Sequence, residues 1–263
     1  MNVARILLAF VAVVLTGCAS THAKNPADPL ESLNRGIYQF NDGLDRAIAK
    51  PVAKGYGAVM PAFGKTMVNN FFSNLDDWLV TINDLLQFKL LQAGSDGARV
   101  VINSTIGIFG LFDVAVGLEK HDEDFGQTLG YWGIGDGPYL MLPIFGPSSV
   151  RDGIGLLVDS QPSVLRRVED IPTRNQLYIA KGISRREQLL DQEAVLYEAA
   201  VDRYEFIRDA YLLRRKSQVY DGNPPREKFE DEFDDEEIVI QKKPEPAPAT
   251  RQDSAPATQP GKQ

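Results

Sequence analysis

The first 18 residues constrain this chain more than any other part of its sequence. Arg5 is the only charged side chain before an uninterrupted apolar run at residues 6–15, which is shorter than the roughly 20 residues that a membrane-spanning helix needs. A positive start, a short apolar centre and small residues after it are typical of a secretory signal. The run ends in Leu-Thr-Gly-Cys, the pattern at which bacterial lipoproteins are cleaved before a lipid-modified cysteine. We therefore predict a signal peptide at residues 1–17 and lipidation of Cys18.

Cys18 is also the only cysteine of the chain, so no intrachain disulfide can form. A free thiol is a liability in an oxidising compartment, whereas an alkylated sulfur is not. Each buried methylene of an attached acyl chain contributes about 0.8 kcal/mol, so two or more chains give a stable anchor. Ala19 follows where inner-membrane lipoproteins usually carry Asp. We therefore predict a lipid-anchored protein of the outer membrane that faces the periplasm; a cleaved secretory signal with an incidental cysteine is the alternative.

Composition divides the mature chain into three parts. Residues 18–27 form a short lipidated tether, residues 28–221 are predicted to form one folded domain, and residues 222–263 are predicted to be disordered. The tail is acidic at residues 230–237 and rich in Pro, Ala and Gln afterwards. A solvated tail is one interpretation, and an acidic arm that meets a basic partner is the other. The net charge of −8 gives no support for nucleic-acid binding.

The spacing of apolar residues predicts a mainly α fold. Asp28, followed by Pro at the first helical position, is predicted to cap a helix that ends at Pro51. A second helical region covers residues 65–92 and is predicted to end at Gly94. Strand patterns are nearly absent from the whole chain, so β structure should amount to a hairpin or two at most.

The second half of the domain is predicted to contain one long helix and a glycine-rich hairpin. A Ser-x-x-Glu capping box at Ser184 predicts a helix that reaches Arg215, where basic residues suit the negative end of the helix dipole. Residues 133–138, with the sequence Gly-Ile-Gly-Asp-Gly-Pro, are typical of a tight turn or hairpin tip. Ser148 or Ser149 is predicted to cap a further helix.

Two stretches in the middle of the chain are unusually apolar. Residues 100–112 carry no charge, and residues 131–150 carry only Asp136. The first stretch is too short for a membrane-spanning helix, and the second contains too many Gly and Pro residues. Three interpretations stay open: a domain that lies in or on the bilayer, a cavity that wraps an apolar ligand, and an ordinary helical core.

No arrangement of residues indicates catalysis. The chain lacks G-x-S-x-G, H-E-x-x-H and EF-hand patterns. The Gly-Lys-Thr triplet at Gly64 lacks the first glycine of a phosphate-binding loop, and the glycines of residues 133–137 do not follow the dinucleotide fingerprint. The acidic run at residues 121–124 could offer oxygens to a divalent cation, but consecutive residues rarely converge on one ion. We therefore expect no catalytic residue, no metal and no cofactor.

Several blocks of the sequence resemble the MlaA (VacJ) family of lipoproteins. The first blocks are Asp28-Pro29-Leu30-Glu31, Asn34-Arg35, Phe40-Asn41, Asn70-Phe71, Asn74-Leu75 and residues 103–107. The most specific block is Glu-Asp-Phe-Gly-Gln-Thr-Leu-Gly at residues 123–130, which continues to Pro138-Tyr139 and to Arg151-Asp152. The blocks follow the family's order, and the acidic, Pro-rich tail lies outside the resemblance.

The resemblance implies a ring-like helical domain embedded in or on the outer membrane, with a short glycine-rich hairpin. It also implies an amphipathic channel through which mislocalised phospholipids leave the outer leaflet for a periplasmic lipid-carrier protein, beside a trimeric outer-membrane porin. No enzymatic step is implied. By position, the candidates for the lipid path are Phe40, Asn41, Gly133, Gly135, Gly137, Pro138 and Tyr139.

Two other classes of function stay open on the sequence alone. A structural envelope lipoprotein would scaffold a complex without carrying lipid, and the purified protein would then retain no phospholipid. A lipid-modifying enzyme is the weaker alternative, because no nucleophile of the sequence has a recognisable base beside it.

Replacing the cysteine tests the lipid anchor. Cys18→Ala removes the sulfur that accepts the lipid, so we expect this variant to keep its signal peptide and to incorporate no radiolabelled palmitate. Wild-type protein should incorporate the label and stay with outer membranes after a high-salt wash. Ser20→Ala, two residues away, is the matched control and should behave like wild type. Label in the Cys18→Ala variant would contradict lipidation at this residue.

Overall fold

The computed structural model describes residues 25–193 and 200–225. Its helices are, in chain order, α1 (Glu31–Leu44), α2 (Lys50–Val59), α3 (Ala62–Leu86), α4 (Leu90–Thr105), α5 (Phe125–Tyr131), α6 (Val150–Asp159), α7 (Ile171–Gln188) and α8 (Arg203–Val219). Two strands, β1 (Tyr139–Leu142) and β2 (Gly146–Ser149), pair antiparallel. The mainly α prediction is confirmed. The predicted signal peptide, Cys18, most of the tether and nearly all of the tail lie outside the described residues.

Helices α1 and α2 form one continuous helical stretch, joined by a π-helical turn at Asp45–Ala49. The prediction that Pro51 ends the first helix is therefore wrong. Pro51 lies in the first turn of α2. The wider hydrogen-bond pattern of the preceding π turn accommodates a residue that has no backbone N–H.

Asp28 has a structural role other than the predicted helix cap. Helix α1 begins at Glu31 with Leu30 in the N-cap position, so the prediction for Asp28 is wrong. The Asp28 carboxylate is fully buried and accepts hydrogen bonds from the Asn34 amide at 2.8 Å and from the Tyr204 hydroxyl. Because a buried carboxylate needs partners, Asp28 fastens the start of the domain to α1 and α8.

Asn34 joins α1 to the hairpin, because its side-chain amide makes hydrogen bonds to the backbone of β1 like those that a neighbouring strand would make. Its Nδ2 donates to the Tyr139 carbonyl at 3.1 Å, and its Oδ1 accepts the backbone N–H of Met141 at 2.9 Å. The side chain is almost completely buried. One amide therefore satisfies a donor and an acceptor of β1, which would otherwise be an open strand edge.

Helices α3 and α4 pack along each other after a sharp reversal at residues 87–89. The backbone of Phe88 has a φ of 60°, a conformation that interrupts a right-handed helix. The prediction that one helical region over residues 65–92 ends at Gly94 is therefore wrong, since Gly94 lies inside α4. Apolar residues continue through the reversal, so periodicity alone could not locate it.

The helices bury polar side chains and expose apolar ones. The buried side chains of α3 are Phe72, Asn74, Asp77, Val80, Asn83 and Asp84, whereas the same helix exposes Phe63, Trp78 and Leu85. Helix α4 buries Ala93, Asp96, Arg99 and Asn103 and exposes Leu90, Leu91 and Val101. A protein that folds in water usually has the opposite arrangement. Of the described helices, none is both long and apolar enough to cross a bilayer.

The hairpin lies later in the chain than its predicted tip. Residues 133–138 form a loop that leads into β1, so the prediction of a hairpin tip there is wrong. The strands reverse at residues 143–145 instead. Gly133 and Gly137 have φ angles of 87° and 67°, so these glycines serve the path of the loop and not a two-residue turn.

Helix α6 begins as predicted, because the Ser149 hydroxyl accepts the backbone N–H of Asp152 at 3.1 Å. Helices α5 and α6 then cross at two glycines. A Cβ on Gly155 would lie 2.5 Å from the backbone nitrogen of Gly126, which is closer than any real side chain allows. Only glycine at this crossing lets the two helices approach so closely.

Helices α7 and α8 are separate elements with their own caps. Ser184 is buried in the last turns of α7, so the prediction that a long helix starts there is wrong. Helix α7 begins after Asp170, whose carboxylate accepts the backbone N–H of Thr173 at 2.8 Å, and Asp202 caps α8 in a similar way. Both aspartates satisfy N–H groups that have no acceptor within the helix. The Ser-x-x-Glu spacing lies within a helix that had already begun.

Adding one methyl group to Gly155 should push α5 and α6 apart. In Gly155→Ala the new Cβ has no room beside Gly126, so we expect the free energy of unfolding to fall by about 1–3 kcal/mol. Gly153→Ala on the same helix is the control, because its Cβ meets only the Ser148 hydroxyl at 3.9 Å. The control should be neutral or more stable by about 0.5–1 kcal/mol through helix propensity. Urea unfolding in detergent, followed by circular dichroism, compares the two, and equal stabilities would contradict the close crossing.

Candidate functional site

Buried polar side chains connect α3 with α5 and α6. The Gln87 amide donates to Glu123 Oε2 at 2.8 Å and to Thr128 Oγ1 at 3.1 Å. The Thr128 hydroxyl donates to Asn83 Oδ1 at 2.9 Å, and Asn83 Nδ2 donates to Asp159 Oδ1 at 3.1 Å. Because these groups are removed from water, each bond must form inside the domain. The chain of bonds fixes the relative positions of the three helices.

A second group of polar side chains holds the segment that follows α4. Arg99 donates to the carbonyls of Ala115 and Leu118 at 2.8 and 2.9 Å and to Asp113 Oδ2 at 2.8 Å. Asn103 donates to Asp113 Oδ1 and accepts the backbone N–H of Ala115 at 3.1 Å. Burial opposes ionisation of Asp113, but hydrogen bonds from Asn103 and Arg99 outweigh it and lower the pKa of the carboxyl. This irregular backbone therefore finds its partners without water.

Arg215 of α8 joins the starts of α5 and α6. Its guanidinium donates to both oxygens of Asp152 at 2.8 Å and to both oxygens of Asp124 at 2.6 and 2.9 Å. Burial alone would raise the pKa of each carboxyl, yet the hydrogen bonds and charge of Arg215 hold the pKa of both below the ordinary value. The planar fork of arginine suits two carboxylates at once. Arg215 lies near the end of its own helix, as predicted, and it also binds two carboxylates that belong to other parts of the fold.

A polar cleft of about 220 Å³ lies between α3, α7 and the segment before α5. Charges of both signs line it. Lys181 Nζ lies 2.5 Å from Asp76 Oδ1, and Lys120 forms an ion pair with Asp77. The other lining residues are Asn69, Phe72, Ser73, Val80, His121, Asp122, Ser184, Arg185 and Gln188. A ligand that itself carries charges of both signs suits such walls.

Large apolar side chains are exposed where the helices end or reverse. They include Phe88, Leu90 and Leu91 at the reversal between α3 and α4, Ile106, Ile108, Phe109 and Val116 after α4, and Ile144 and Phe145 at the hairpin turn. Leu91 is 92% exposed and Phe109 75%. Covering such surface with apolar groups is favourable by about 25 cal/mol per Å². Exposed apolar surface on this scale marks a contact with lipid or with another protein.

The predicted lipid-path residues Phe40 and Asn41 lie against the hairpin turn. Phe40, together with Pro143 and the first turns of α1, lines an apolar groove. Asn41 Nδ2 donates to the Leu142 carbonyl at 2.9 Å, and Asn41 Oδ1 accepts the backbone N–H of Ile144 at 2.8 Å. Asn41 therefore holds the turn in place, whereas Phe40 contributes to the apolar surface beside it.

The hairpin turn has an unusual backbone. Ile144 has a φ of 69°, which is rare for a β-branched residue because its side chain crowds the backbone. The Phe145 N–H closes the turn by donating to the Pro143 carbonyl at 2.8 Å. Such strained positions persist only where neighbouring groups fix them, and they are concentrated at functional sites. Here Asn41 is the group that fixes the turn.

The loop that contains the predicted residues Gly133, Gly135, Gly137 and Pro138 lies against the start of α6. Arg151 forms an ion pair with Asp136 of this loop, and its backbone N–H donates to the Asp136 carbonyl at 3.1 Å. The N–H of Val150 donates to the Pro138 carbonyl at 3.2 Å. The loop is thus held at its middle and at its end by the first residues of one helix.

Tyr139, another of the predicted lipid-path residues, lies in the apolar core. It is fully buried and packs edge-to-face against Tyr204 and Tyr211. Burial raises the pKa of its hydroxyl above the ordinary value. None of the predicted lipid-path residues lines the polar cleft.

The side chains of residues 121–124 point to different partners. His121 Nδ1 lies 2.7 Å from Asp96 Oδ2, Glu123 pairs with Lys89 at 2.8 Å, and Asp124 pairs with Arg215. Within the described ranges, no group of three or more His, Cys, Asp or Glu side chains could hold a metal ion.

The domain matches a known protein family over nearly all of its described length. The family model for the MlaA lipoprotein matches residues 26–218, from just before α1 to the last turn of α8. The chain belongs to the MlaA lipoprotein family. The resemblance carried by the sequence blocks is thereby confirmed.

Individual members of the MlaA family align with most of the chain. The intermembrane phospholipid transport system lipoprotein MlaA of Escherichia coli (strain K12) is 33% identical over 242 residues, which cover 87% of this chain and 96% of the relative. The Haemophilus influenzae protein of the same description is 29% identical over 233 residues, covering 84% and 93%. A solved structure, from work on the structural basis for maintenance of bacterial outer membrane lipid asymmetry, is similar with a TM-score of 0.64 at 32% identity, covering 74% of this chain and 99% of that one.

The buried polar residues that organise the site are not predicted from the sequence. On α3 the missed signal is a polar stripe at helical spacing, formed by Asn70, Asn74, Asp77 and Asp84. In proteins that fold in water, such a stripe usually faces solvent. The excess of apolar residues on the same helix could have indicated that the polar face is the inner one.

Removing the Asn41 side chain should free the hairpin turn. Asn41→Ala deletes both hydrogen bonds to the turn and leaves Ile144 at its positive φ without support. We expect amide hydrogen exchange at residues 143–145 to become roughly 5- to 10-fold faster, as for a loss of about 1–1.5 kcal/mol. Gln39→Ala, at an exposed position of α1, is the control. Hydrogen-exchange mass spectrometry in micelles measures both, and unchanged exchange in Asn41→Ala would show that other contacts hold the turn.

Proposed function

We propose that this protein is an outer-membrane lipoprotein that extracts mislocalised phospholipids from the outer leaflet and hands them to a periplasmic carrier. The observation that carries the proposal is the reversed burial of the domain. Its helices enclose Asn, Asp, Gln and Arg side chains and present Leu, Ile, Phe and Val to the outside. This arrangement suits a domain surrounded by hydrocarbon that guides a partly polar molecule through its interior.

The cleft and the apolar surface match the two parts of a phospholipid. A headgroup cannot enter hydrocarbon and acyl chains cannot enter water without a large cost in free energy. The polar cleft offers Arg185 and Lys181 to a phosphate and Asp76 to an ammonium group. Acyl chains would stay on the apolar side of the domain, where Phe40 lines its groove. In this proposal, the two surfaces serve as the two halves of an amphipathic channel.

Family membership supports phospholipid transport in the bacterial envelope. The relatives from Escherichia coli and Haemophilus influenzae are named for intermembrane phospholipid transport, and the similar solved structure concerns outer-membrane lipid asymmetry. We extend this to retrograde transport here, with a trimeric porin beside the domain and a periplasmic protein as acceptor. The proposed transfer breaks no covalent bond, so the protein acts as a conduit and not as an enzyme.

Filling the cleft tests the proposal in cells. Ser73→Trp places a large ring among the cleft walls, so we expect cells that carry it to expose as much outer-leaflet phospholipid as cells lacking the protein. Thr66→Trp, two turns earlier on α3, carries the same ring outside the cleft and should restore the wild-type level. Exposure is measured by labelling aminophospholipids with a reagent that does not cross the membrane. Circular dichroism of both purified variants checks that the fold is retained.

A structural lipoprotein that carries no lipid would give a different result. In that case deletion of the protein would leave outer-leaflet phospholipid unchanged, and the purified wild-type protein would contain no bound phospholipid. Neither tryptophan substitution would then change the amount of phospholipid exposed in the outer leaflet. Those results together would overturn the transport proposal and leave the scaffold as the function to pursue.

A further inference from the structure

Two carboxyl groups face each other inside the α3–α4 pair. Asp84 of α3 and Asp96 of α4 have no exposed surface. Their carboxyl groups lie within hydrogen-bonding reach of each other. Two ionised carboxylates within hydrogen-bonding reach of each other repel strongly when water is excluded. The native fold must therefore neutralise one of them.

The two carboxyl groups differ in their hydrogen-bond partners. Asp96 Oδ2 lies 2.7 Å from His121 Nδ1, and Asp96 Oδ1 accepts the backbone N–H of His121 at 3.2 Å. Neither carboxyl oxygen of Asp84 accepts a hydrogen bond from a donor group of the protein. A buried carboxylate without a donor is one of the costliest groups that a fold can contain. A protonated Asp84 avoids this cost and can donate to Asp96.

The cations around the pair are engaged by other carboxylates. The groups that act most strongly on Asp84 are Asp96, Glu123 and His121. The remaining charged groups nearby pair as follows: Lys89 with Glu123 and Asp221, Arg99 with Asp113, and Lys120 with Asp77. Among the described residues, each of these three cations is thus paired with another carboxylate, and none forms an ion pair with Asp84 or Asp96.

We propose that Asp84 and Asp96 form a buried proton-binding site in which Asp84 carries the proton and donates its O–H to the Asp96 carboxylate. The proton comes from water and returns to water, and only the O–H bond of Asp84 forms or breaks. His121 connects the pair with the outside, because its ring contacts Asp96 and also lines the polar cleft. This proton-binding site needs no residue from another protein, and the proposal does not rest on the proposed transport of lipid.

The proton makes the packing of α3 on α4 sensitive to pH. Burial, followed by the charges of Asp96 and Glu123, raises the pKa of Asp84 from 3.8 to about 7. Between these values the native state binds one proton more than the unfolded chain does. The free energy of unfolding therefore falls as the pH rises from about 4 to about 7, and this contribution stays constant above that range.

The experiment compares Asp84→Asn with wild-type protein, both full length and lipidated in detergent micelles. Asn keeps the shape and the donor of a protonated carboxyl but cannot lose a proton. We compare the thermal midpoint of Asp84→Asn with that of wild type at each pH. The midpoint of the variant minus that of wild type should increase by on the order of 5 °C as the pH rises from about 4 to about 7. Above about pH 7.5 the difference should stay constant. A difference that does not change with pH overturns the proposal.

Infrared spectroscopy of the wild-type protein gives a second readout that does not require the variant to be stable. Below neutral pH, the buried carboxyl should give the C=O stretch of a protonated acid, and the band should disappear above neutral pH. Where Asp84→Asn folds, subtracting its spectrum assigns the band to this residue. Two results would contradict the proposal: the absence of this band at pH 6, and a thermal midpoint that depends on sodium concentration at constant ionic strength. Either result would mean that a metal cation, and not a proton, neutralises the negative charge of the two carboxylates.

Discussion

The need to find partners for buried polar groups is the constraint on which the rest of the structure depends. The apolar cluster around Tyr139, Met141 and Tyr204 is small, because most large apolar side chains face outward. Cohesion between helices must then come largely from side-chain hydrogen bonds. In a dry interior such bonds are strong, and each unpaired group is costly. Arg99 and Arg215 illustrate the solution, since Arg99 satisfies three acceptors of the segment after α4 and Arg215 satisfies the carboxylates at the starts of α5 and α6.

The same constraint explains how irregular backbone is held. The loop after α4 has its carbonyls and N–H groups bound by Arg99 and Asn103, and the hairpin turn is bound by Asn41. Where hydrocarbon replaces water, backbone of this kind is tolerated only if the protein itself provides partners. The left-handed conformation of Ile144 fits this view, because a strained residue persists when its surroundings over-determine it.

The arrangement of polar and apolar surfaces relates the fold to the proposed transport. A cleft lined by Asp76, Lys181 and Arg185 lies beside helices whose other faces are apolar. A headgroup and its acyl chains could thus stay in suitable surroundings during one passage. The Asp84–Asp96 pair lies within the same helices, so a change of its protonation would act on the frame that carries one wall of the cleft.

The sequence by itself determined the lipidation motif at Cys18, the mainly α fold, the family and a helix cap at Ser148 or Ser149, because each depends on local patterns of residues, and the structure assigns the cap to Ser149. Tertiary structure decided which face of each helix points inward. Periodicity locates a polar stripe such as that of α3 but cannot say whether water or protein covers it. Asp28, Asn41 and Arg215 likewise obtained their roles from partners 63 to 176 residues away. Such contacts exist only after folding, so no local pattern records them.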